Sequence, residues 1–389
     1  MGIYLNTAST TPPYREVLND FMWCAENYWA NPSDISETGL KAKEIIKTAQ
    51  EQAANSINAK PKEIIFTSGG SESNNWAIKG FLDKNKGYNT IITTKIEHPS
   101  VYKTCQYMEN HGCDVIYIPV DHFGLVSSDR LEKLINNKDI TNPFVSIMFA
   151  NNEIGTIQPI KEIAKVVHKY NGVLHVDAVQ AYMHTKIDVV DLGIDMMSVS
   201  FHKFGGFKNC GFLYIKDGIE LTPLIHGGYQ FDSKRAGTEN VPMIYAMGNQ
   251  IERLNDDLNV YIERSTDIHN YIIQEIYEKC GDYCSIYLNG HPKKRIANNL
   301  SFTFDGINAS SLISLLELKG VYVSAGSACC SGEKTPSRVL KGIGLSNEEA
   351  FNTIRISFDY NILQDTARNI IDEFVDKLVE CIQSLKMFK

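Results

Sequence analysis

The sequence has 389 residues, of which 43% are apolar and 22% are charged, as is ordinary for a folded globular protein. This composition excludes a mainly disordered chain, and the length predicts two or three domains. The formal charge is −8, so neither nucleic acid nor an anionic membrane is an expected partner. No apolar run approaches the roughly 20 residues that span a bilayer, and residues 1–10 (MGIYLNTAST) do not resemble a secretion signal.

The nine cysteines do not form the regular pattern of a secreted disulfide framework. Their number is odd, their spacings are irregular, and no pair has the Cys-x-x-Cys spacing of a zinc or redox site. We therefore predict a cytoplasmic protein with no metal site, in which most thiols are free and act as small core residues.

Short apolar runs alternate with helical patterns over the first 240 residues. Seven runs are rich in Ile, Val and Phe without strict alternation, as expected of strands covered on both faces. The predicted strands are 63–68, 90–94, 115–119, 144–149, 173–177, 196–200 and 211–215. Predicted helices between or before them include 41–57, 75–84 and 159–170. This alternation predicts an α/β fold with a mostly parallel seven-stranded sheet.

The pattern changes after about residue 240. One long helix is predicted there, followed by strands and helices in mixed order, as in a smaller α+β domain. These elements are a helix at 243–277, a strand at 299–304, a helix at 310–319, strands at 321–324 and 352–358, and a helix at 364–386. We place a large α/β domain at residues 15–250 and a small domain at residues 1–14 and 251–389.

The segment 68–75 (SGGSESNN) follows a predicted strand and opens a predicted helix. Glycines let the backbone turn tightly, and a helix start offers free N–H groups to a phosphate, joined here by the Ser71 hydroxyl. A tight turn with a serine N-cap is the alternative interpretation of the same residues.

Two further polar residues stand at predicted strand ends. Lys203 comes just after strand 196–200, where burial would lower its pKa and suit it to form a Schiff base with an aldehyde. Asp177 ends strand 173–177, where a carboxylate can pair with a protonated pyridine nitrogen. The alternatives are an exposed loop lysine and a helix-capping aspartate. The turn at residues 68–75, called the phosphate turn below, would bind the phosphate of pyridoxal phosphate. Asp177 would pair with its ring nitrogen and Lys203 with its aldehyde, so the three requirements of this cofactor are met.

The sequence resembles the cysteine desulfurases of the NifS/IscS type, which are class-V aminotransferase relatives among the fold type I pyridoxal-phosphate enzymes. The matching blocks are 4–12 (YLNTASTTP), 31–33 (NPS), 66–75 (FTSGGSESNN), 97–98 (EH), 151–155 (NNEIG), 175–180 (HVDAVQ), 200–203 (SFHK), 235–242 (RAGTENVP), 326–329 (GSAC) and 355–357 (RIS). The resemblance implies a fold type I transferase that converts L-cysteine to L-alanine and donates sulfur to an acceptor, such as an iron–sulfur scaffold or a thiolation enzyme.

The resemblance also implies roles for individual residues. Lys203 is the Schiff-base lysine, Asp177 is the partner of the pyridine nitrogen, and His98 stacks on the ring and is a candidate proton shuttle. Arg355 binds the substrate carboxylate, a task that suits its forked guanidinium. A strand-edge salt bridge is the interpretation of Arg355 that the sequence favours without the family. Asn152 and Gln180 are implied to lie near the phenolic oxygen and the substrate. The residues implied to hold the phosphate are Gly70, Ser71, Ser200 and His202, joined by Thr238 from the second subunit of a homodimer.

The reaction depends on the segment 324–335 (SAGSACCSGEKT), which is small, polar and glycine-flanked and is expected to be an exposed loop. Cys329 aligns with the family nucleophile, whose thiolate attacks the substrate sulfur and becomes a persulfide. Cys330 stands where a small residue or a small hydroxyl is expected.

The sequence departs from the family pattern in four places. Asn6-Thr7-Ala8-Ser9 replaces Asp-Asn-Ala-Ala, Ser36 replaces a histidine, residues 206–209 (GFKN) replace Gly-Pro-Lys-Gly, and Cys330 is additional. The first three bear on the shape of the substrate pocket and on loop geometry. None of the four removes an implied cofactor residue.

Two other functions are consistent with these residues. One is a related pyridoxal-phosphate lyase acting on selenocysteine or cystine, and Cys329 argues mildly against it. The other is an inactive scaffold, against which the presence of Lys203, Asp177, His98 and Arg355 argues.

Overall fold

The computed structural model describes residues 2–325, 335–363 and 366–387 of the chain. Within them the strands are β1 (Ile3–Tyr4), β2 (Ile64–Thr67), β3 (Thr90–Thr94), β4 (Asp114–Ile118), β5 (Phe144–Met148), β6 (Val173–Asp177), β7 (Met196–Ser200), β8 (Gly211–Ile215), β9 (Ile286–Asn289), β10 (Asn299–Phe304), β11 (Val321–Tyr322) and β12 (Thr353–Ser357).

The α-helices alternate with these strands over the first half of the chain and dominate the second. In chain order they are α1 (Arg15–Asn27), α2 (Glu37–Asn55), α3 (Gly70–Lys84), α4 (Pro99–Glu109), α5 (Ser128–Asn137), α6 (Ile160–Lys169), α7 (Val189–Leu192), the single turn α8 (Gln230–Ser233), α9 (Val241–Asp256), α10 (Leu258–Cys280), α11 (Ala309–Leu318), α12 (Arg338–Gly342), α13 (Asn347–Phe351) and α14 (Ala367–Met387).

Strands β2 to β8 form one seven-stranded sheet in the order β2-β8-β7-β6-β5-β3-β4. Neighbouring strands run parallel except at β8, which is antiparallel to both β2 and β7. Every residue of β5 to β8 is buried, as expected of strands covered on both faces. The predicted α/β fold with a mostly parallel seven-stranded sheet is therefore confirmed.

Side chains of this sheet enter two separate apolar clusters. Val176 and Phe212 belong to the larger cluster, whereas Met196 and Leu213 belong to another. Because neighbouring side chains of a strand point to opposite faces, the two clusters are the two covered faces of the sheet. The carboxyl ends of β5, β6 and β7 consequently meet at one edge, where a ligand can reach them.

A second core forms around the antiparallel sheet β12-β10-β9. Side chains of α10, α11 and α14 pack into it, and Leu5 joins it from the amino-terminal segment. Strand β1 pairs in parallel with β11, which ties that segment to this part of the chain. The smaller α+β unit is as expected, while its boundaries at residues 14 and 251 remain predictions.

The structure differs from the sequence prediction at several elements. The helix predicted at 243–277 is two helices, α9 and α10, because residues 255–257 (NDD) are poor helix formers. The strand predicted at 321–324 ends at Tyr322, and Ser324 instead forms a single bridge with Arg355. Strand β9 and helix α1 were not predicted. None of the helices in the described part of the chain combines the length and apolar character needed to cross a bilayer.

Candidate active site

A cavity of about 590 Å³ opens at the carboxyl-terminal edge of the large sheet. Its walls come from the turns after β2, β6 and β7, from the start of α4, from the amino-terminal segment and from β12. The predicted site residues that line it are Gly70, Ser71, His98, Asn152, Asp177, Gln180, Ser200, His202, Lys203 and Arg355. Residues far apart in the sequence thus share one cavity.

The turn between β2 and α3 lies close to the end of β7. Gly69 has φ +126°, a conformation that favours glycine, and a Cβ there would be 3.2 Å from Ser200 Oγ. A Cβ on Gly70 would be 2.5 Å from Val179 Cγ2. Both glycines therefore allow the start of α3 to pack against these residues. The start of α3 and the Ser71 and Ser200 hydroxyls lie together at one end of the cavity, an arrangement that suits an anion.

His202 follows β7 at the same end of the cavity. Burial, together with the nearby Lys203 and Lys208 charges, lowers the pKa of His202 to about 3. Its Nδ1 lies 3.1 Å from Thr10 Oγ1. The imidazole is consequently neutral at physiological pH and is available as a hydrogen-bonding group rather than as a charge.

Asp177 is 2% exposed and ends β6. Its Oδ1 accepts from the Val179 N–H at 3.1 Å, and its Oδ2 accepts from Asn74 Nδ2 at 2.8 Å. The alternative role as a helix cap is not what the structure shows, since the next α-helix begins at Val189. A buried carboxylate at this edge has the chemistry needed to pair with a protonated ring nitrogen.

A hydrogen-bonded chain links Asp177 to His98 through two residues that the sequence analysis did not select. Asn74 Nδ2 also donates to Ser100 Oγ at 2.8 Å, and Ser100 Oγ lies 2.7 Å from His98 Nδ1. The Ser100 N–H donates to the same His98 nitrogen, so the proton of the neutral ring is on Nε2. Asn74 lies in the first turns of α3 and Ser100 in the first turn of α4, positions that face a strand edge. Asn74 also belongs to the family-matching block 66–75, whereas placement at a helix start was the signal for Ser100.

Lys203 ends a single 3₁₀ turn after β7. Its Nζ donates to the carbonyl oxygens of Ala8 and Ser9, each at 2.7 Å. Burial, reinforced by the Arg355 charge, lowers the pKa of Lys203 to about 7. A large fraction of this amine is therefore neutral and nucleophilic near pH 7, unlike that of an exposed loop lysine.

Arg355 is 5% exposed and lies in β12. Its Nη1 donates to the Asn152 carbonyl oxygen at 2.8 Å. Its Nη2 donates to Asn6 Oδ1 at 2.9 Å and to Ser9 Oγ at 2.7 Å. These three acceptors are uncharged oxygens, and the contacts orient the guanidinium toward the cavity. Gln180 Nε2 donates to the Ala8 carbonyl oxygen at 2.9 Å on the same wall.

Among the described residues, the predicted site residue Thr238 is not in this cavity. Thr238 is exposed and lines a different cavity, together with Arg235. Arg235 forms a two-pronged ion pair with Glu72 of the phosphate turn, at 2.9 and 3.1 Å. Cys329 lies outside the described residues, as does Cys330. The described cysteines are all free, and six of the seven are buried.

The residues present fit pyridoxal phosphate. The cavity is within the roughly 300–1,000 Å³ of small-molecule sites. It combines a helix start with two hydroxyls for a phosphate, a buried carboxylate for a ring nitrogen, and a lysine of lowered pKa for an aldehyde. Within the turn, the Ser68 and Gly69 N–H groups already donate to Glu72 Oε2 and Thr67 Oγ1, so a phosphate would depend on the N–H groups at the start of α3, from Gly70 onward.

Comparison with known proteins gives concordant results. Residues 3–368 match the family described as Aminotransferase class-V. The chain is 42% identical over 383 residues to a cysteine desulfurase IscS of Methanosarcina thermophila, covering 97% of this chain and 93% of that protein. It is 41% identical over 389 residues to a cysteine desulfurase IscS of Dictyoglomus turgidum, covering 100% and 97%. A solved NifS-like protein superposes with a TM-score of 0.89 at 32% identity, covering 99% of this chain and 100% of that one.

Proposed function

This chain belongs to the class-V aminotransferase family, and from that membership we propose that it is a pyridoxal-phosphate-dependent cysteine desulfurase that converts L-cysteine to L-alanine. The observation that supports this most is the sharing of one cavity by a lysine of lowered pKa, a buried aspartate and a buried arginine. Selenocysteine and cystine are not favoured as substrates, because the named relatives are cysteine desulfurases.

Different residues of the described part of the chain would hold different parts of the cofactor. The turn at residues 68–71, with Ser200 and His202, would hold the phosphate, Asp177 would hold the ring nitrogen, and Lys203 would bind the aldehyde carbon. His98 would stack on the ring. Bound pyridoxal phosphate supplies an electron sink for the substrate α-carbon.

The protein's own groups then bind and move protons. Arg355 binds the α-carboxylate of cysteine, and Asn152 and Gln180 line the same wall. Lys203 Nζ is the base for the α-proton, because its lowered pKa leaves a large fraction of this amine neutral near pH 7. Neutral His98 carries its proton on Nε2. From that atom the proton can be passed to a group of the substrate or of the product.

Sulfur leaves the substrate by attack of the Cys329 thiolate on the cysteine sulfur. A new S–S bond forms as the Cβ–S bond breaks, its electron pair remains with the carbon, and a proton added at Cβ completes alanine. The persulfide sulfur then passes to an acceptor thiol, such as one on an iron–sulfur scaffold or a thiolation enzyme.

The test is direct. Purified protein supplied with pyridoxal phosphate and L-cysteine should release alanine and, with a thiol reductant, an equal amount of sulfide. Mass spectrometry of the peptide containing residues 326–334 should show one added sulfur. Cofactor uptake without any alanine would refute the proposal.

A homodimer with shared active sites is a further expectation. Thr238 is exposed and outside the cavity of its own chain, while the Arg235–Glu72 ion pair fixes its segment beside the phosphate turn. We expect a dimer by light scattering. A purified heterodimer of Lys203→Ala and Thr238→Ala subunits should recover activity, because one of its two sites then has both residues. No recovery would place Thr238 in the site of its own subunit, or in none.

A further inference from the structure

Ser9 contacts both cationic groups of the site, yet the proposed mechanism does not use its side chain. Its hydroxyl accepts from Arg355 Nη2 at 2.7 Å and donates to Asn6 Oδ1 at 2.7 Å. Its carbonyl oxygen accepts from Lys203 Nζ at 2.7 Å. Ser9 itself lines the cavity. This side chain therefore lies where the carboxylate and amine ends of an amino acid substrate would meet.

The geometry of the guanidinium makes the position of Ser9 important. A guanidinium binds a carboxylate with two parallel hydrogen bonds along one of two edges, and Nη2 belongs to both. Asn6 Oδ1 and Ser9 Oγ accept from Nη2 at 2.9 and 2.7 Å and lie 2.7 Å from each other, so both are on one side of this nitrogen. A carboxylate oxygen that docks on Nη2 must therefore displace one of these two acceptors or lie beside them.

The two acceptors are not equivalent. The Asn6 oxygen is an amide acceptor only, whereas the Ser9 hydroxyl can rotate and donate its own hydrogen. We propose that Ser9 is a substrate-binding residue, whose hydroxyl donates a hydrogen bond to the α-carboxylate held by Arg355. This inference rests on the proposed function, which assigns the carboxylate to Arg355.

The proposal can be separated from a merely structural role in holding Arg355 and Lys203. Backbone contacts to Lys203 do not depend on the Ser9 side chain, so Ser9→Ala keeps the amine end of the site. The loss should therefore affect ligands that carry a carboxylate and spare those that lack one. L-alanine and ethylamine are a matched pair, since they differ by the carboxylate alone.

The experiment measures dissociation constants of both ligands by calorimetry on the cofactor-loaded enzyme. Ser9→Ala should weaken L-alanine about tenfold and leave ethylamine unchanged. The KM for L-cysteine should rise by a similar factor with kcat retained. Ser314→Ala is the control: this exposed serine of α11 donates to the Ser310 carbonyl oxygen, away from the cavity, and should change neither ligand.

Unchanged or tighter binding of L-alanine by Ser9→Ala overturns the inference, as does equal weakening of both ligands. Absence of alanine formation by the parent enzyme would instead refute the proposed function. The two failures are distinguishable, because the calorimetric comparison does not require turnover.

Discussion

Lys203→Ala is expected to abolish covalent attachment of pyridoxal phosphate and to reduce alanine formation from cysteine by at least about a thousandfold. The amine lies in the cavity with Asp177 and Arg355, and burial makes it nucleophilic near neutral pH. The variant should still bind the cofactor through its phosphate end, without a covalent bond. Visible absorption and the mass of the borohydride-reduced protein measure attachment, and amino acid analysis measures alanine.

Two companion variants separate nucleophilicity from charge. Lys203→Arg places a permanent cation at this position, which cannot lose its proton, so it should fail like the alanine variant. Lys103→Ala, at an exposed position of α4, should behave like the parent. Normal turnover by either Lys203 variant would show that an amine other than Lys203 forms the covalent bond with the cofactor.

The same assignment makes a pH prediction. Only the neutral amine attacks an aldehyde, so covalent capture by cofactor-free protein should accelerate as pH rises. Because burial lowers the pKa of Lys203 to about 7, the midpoint of that rise should lie near pH 7 and not near the roughly 10.4 of an exposed lysine. Stopped-flow absorption at a series of pH values measures it, and a midpoint above pH 9 contradicts a desolvated amine.

The second large effect concerns the adjacent cysteines Cys329 and Cys330. Cys329→Ser should lose persulfide and alanine by at least about a thousandfold, whereas Cys330→Ser should retain the first turnover. The resemblance of residues 326–329 (GSAC) to the family implies that Cys329 is the nucleophile.

Cys330 nevertheless has a chemical consequence. Its thiolate can attack the sulfur of Cys329 in the persulfide, releasing HS⁻ and leaving a disulfide between neighbours, which is strained. Alternatively, the outer sulfur of the persulfide is transferred to Cys330. The third outcome is that Cys330 is a small residue without a role in the reaction. The lifetime of the persulfide in Cys330→Ser, followed by mass spectrometry, distinguishes them. Retention of the first turnover by Cys329→Ser, with its loss in Cys330→Ser, would reverse the assignment.

The sequence alone was sufficient to predict the large fold and to find the polar residues at the ends of its strands. Buried parallel strands appear as apolar runs, so polar residues at their ends are conspicuous, as with Asp177 and Lys203. The glycine turn after β2 can likewise be identified from a short stretch of sequence. Resemblance in ordered blocks then assigned roles that spacing could not, and the structure brought ten of those residues to one cavity.

Only the tertiary structure decided which side chains act on one another. Ser9 and Arg355 are 346 residues apart in the chain, and Asn74 and Asp177 are 103 apart, yet each pair is hydrogen-bonded. Hydrophobic periodicity records which face of an element is buried, and it carries no information about the partner across the cavity. The pKa of Lys203 is likewise lowered by burial and by the Arg355 charge. Both depend on the tertiary structure, because the order of strands buries the amine and the packing of β12 brings Arg355 near it.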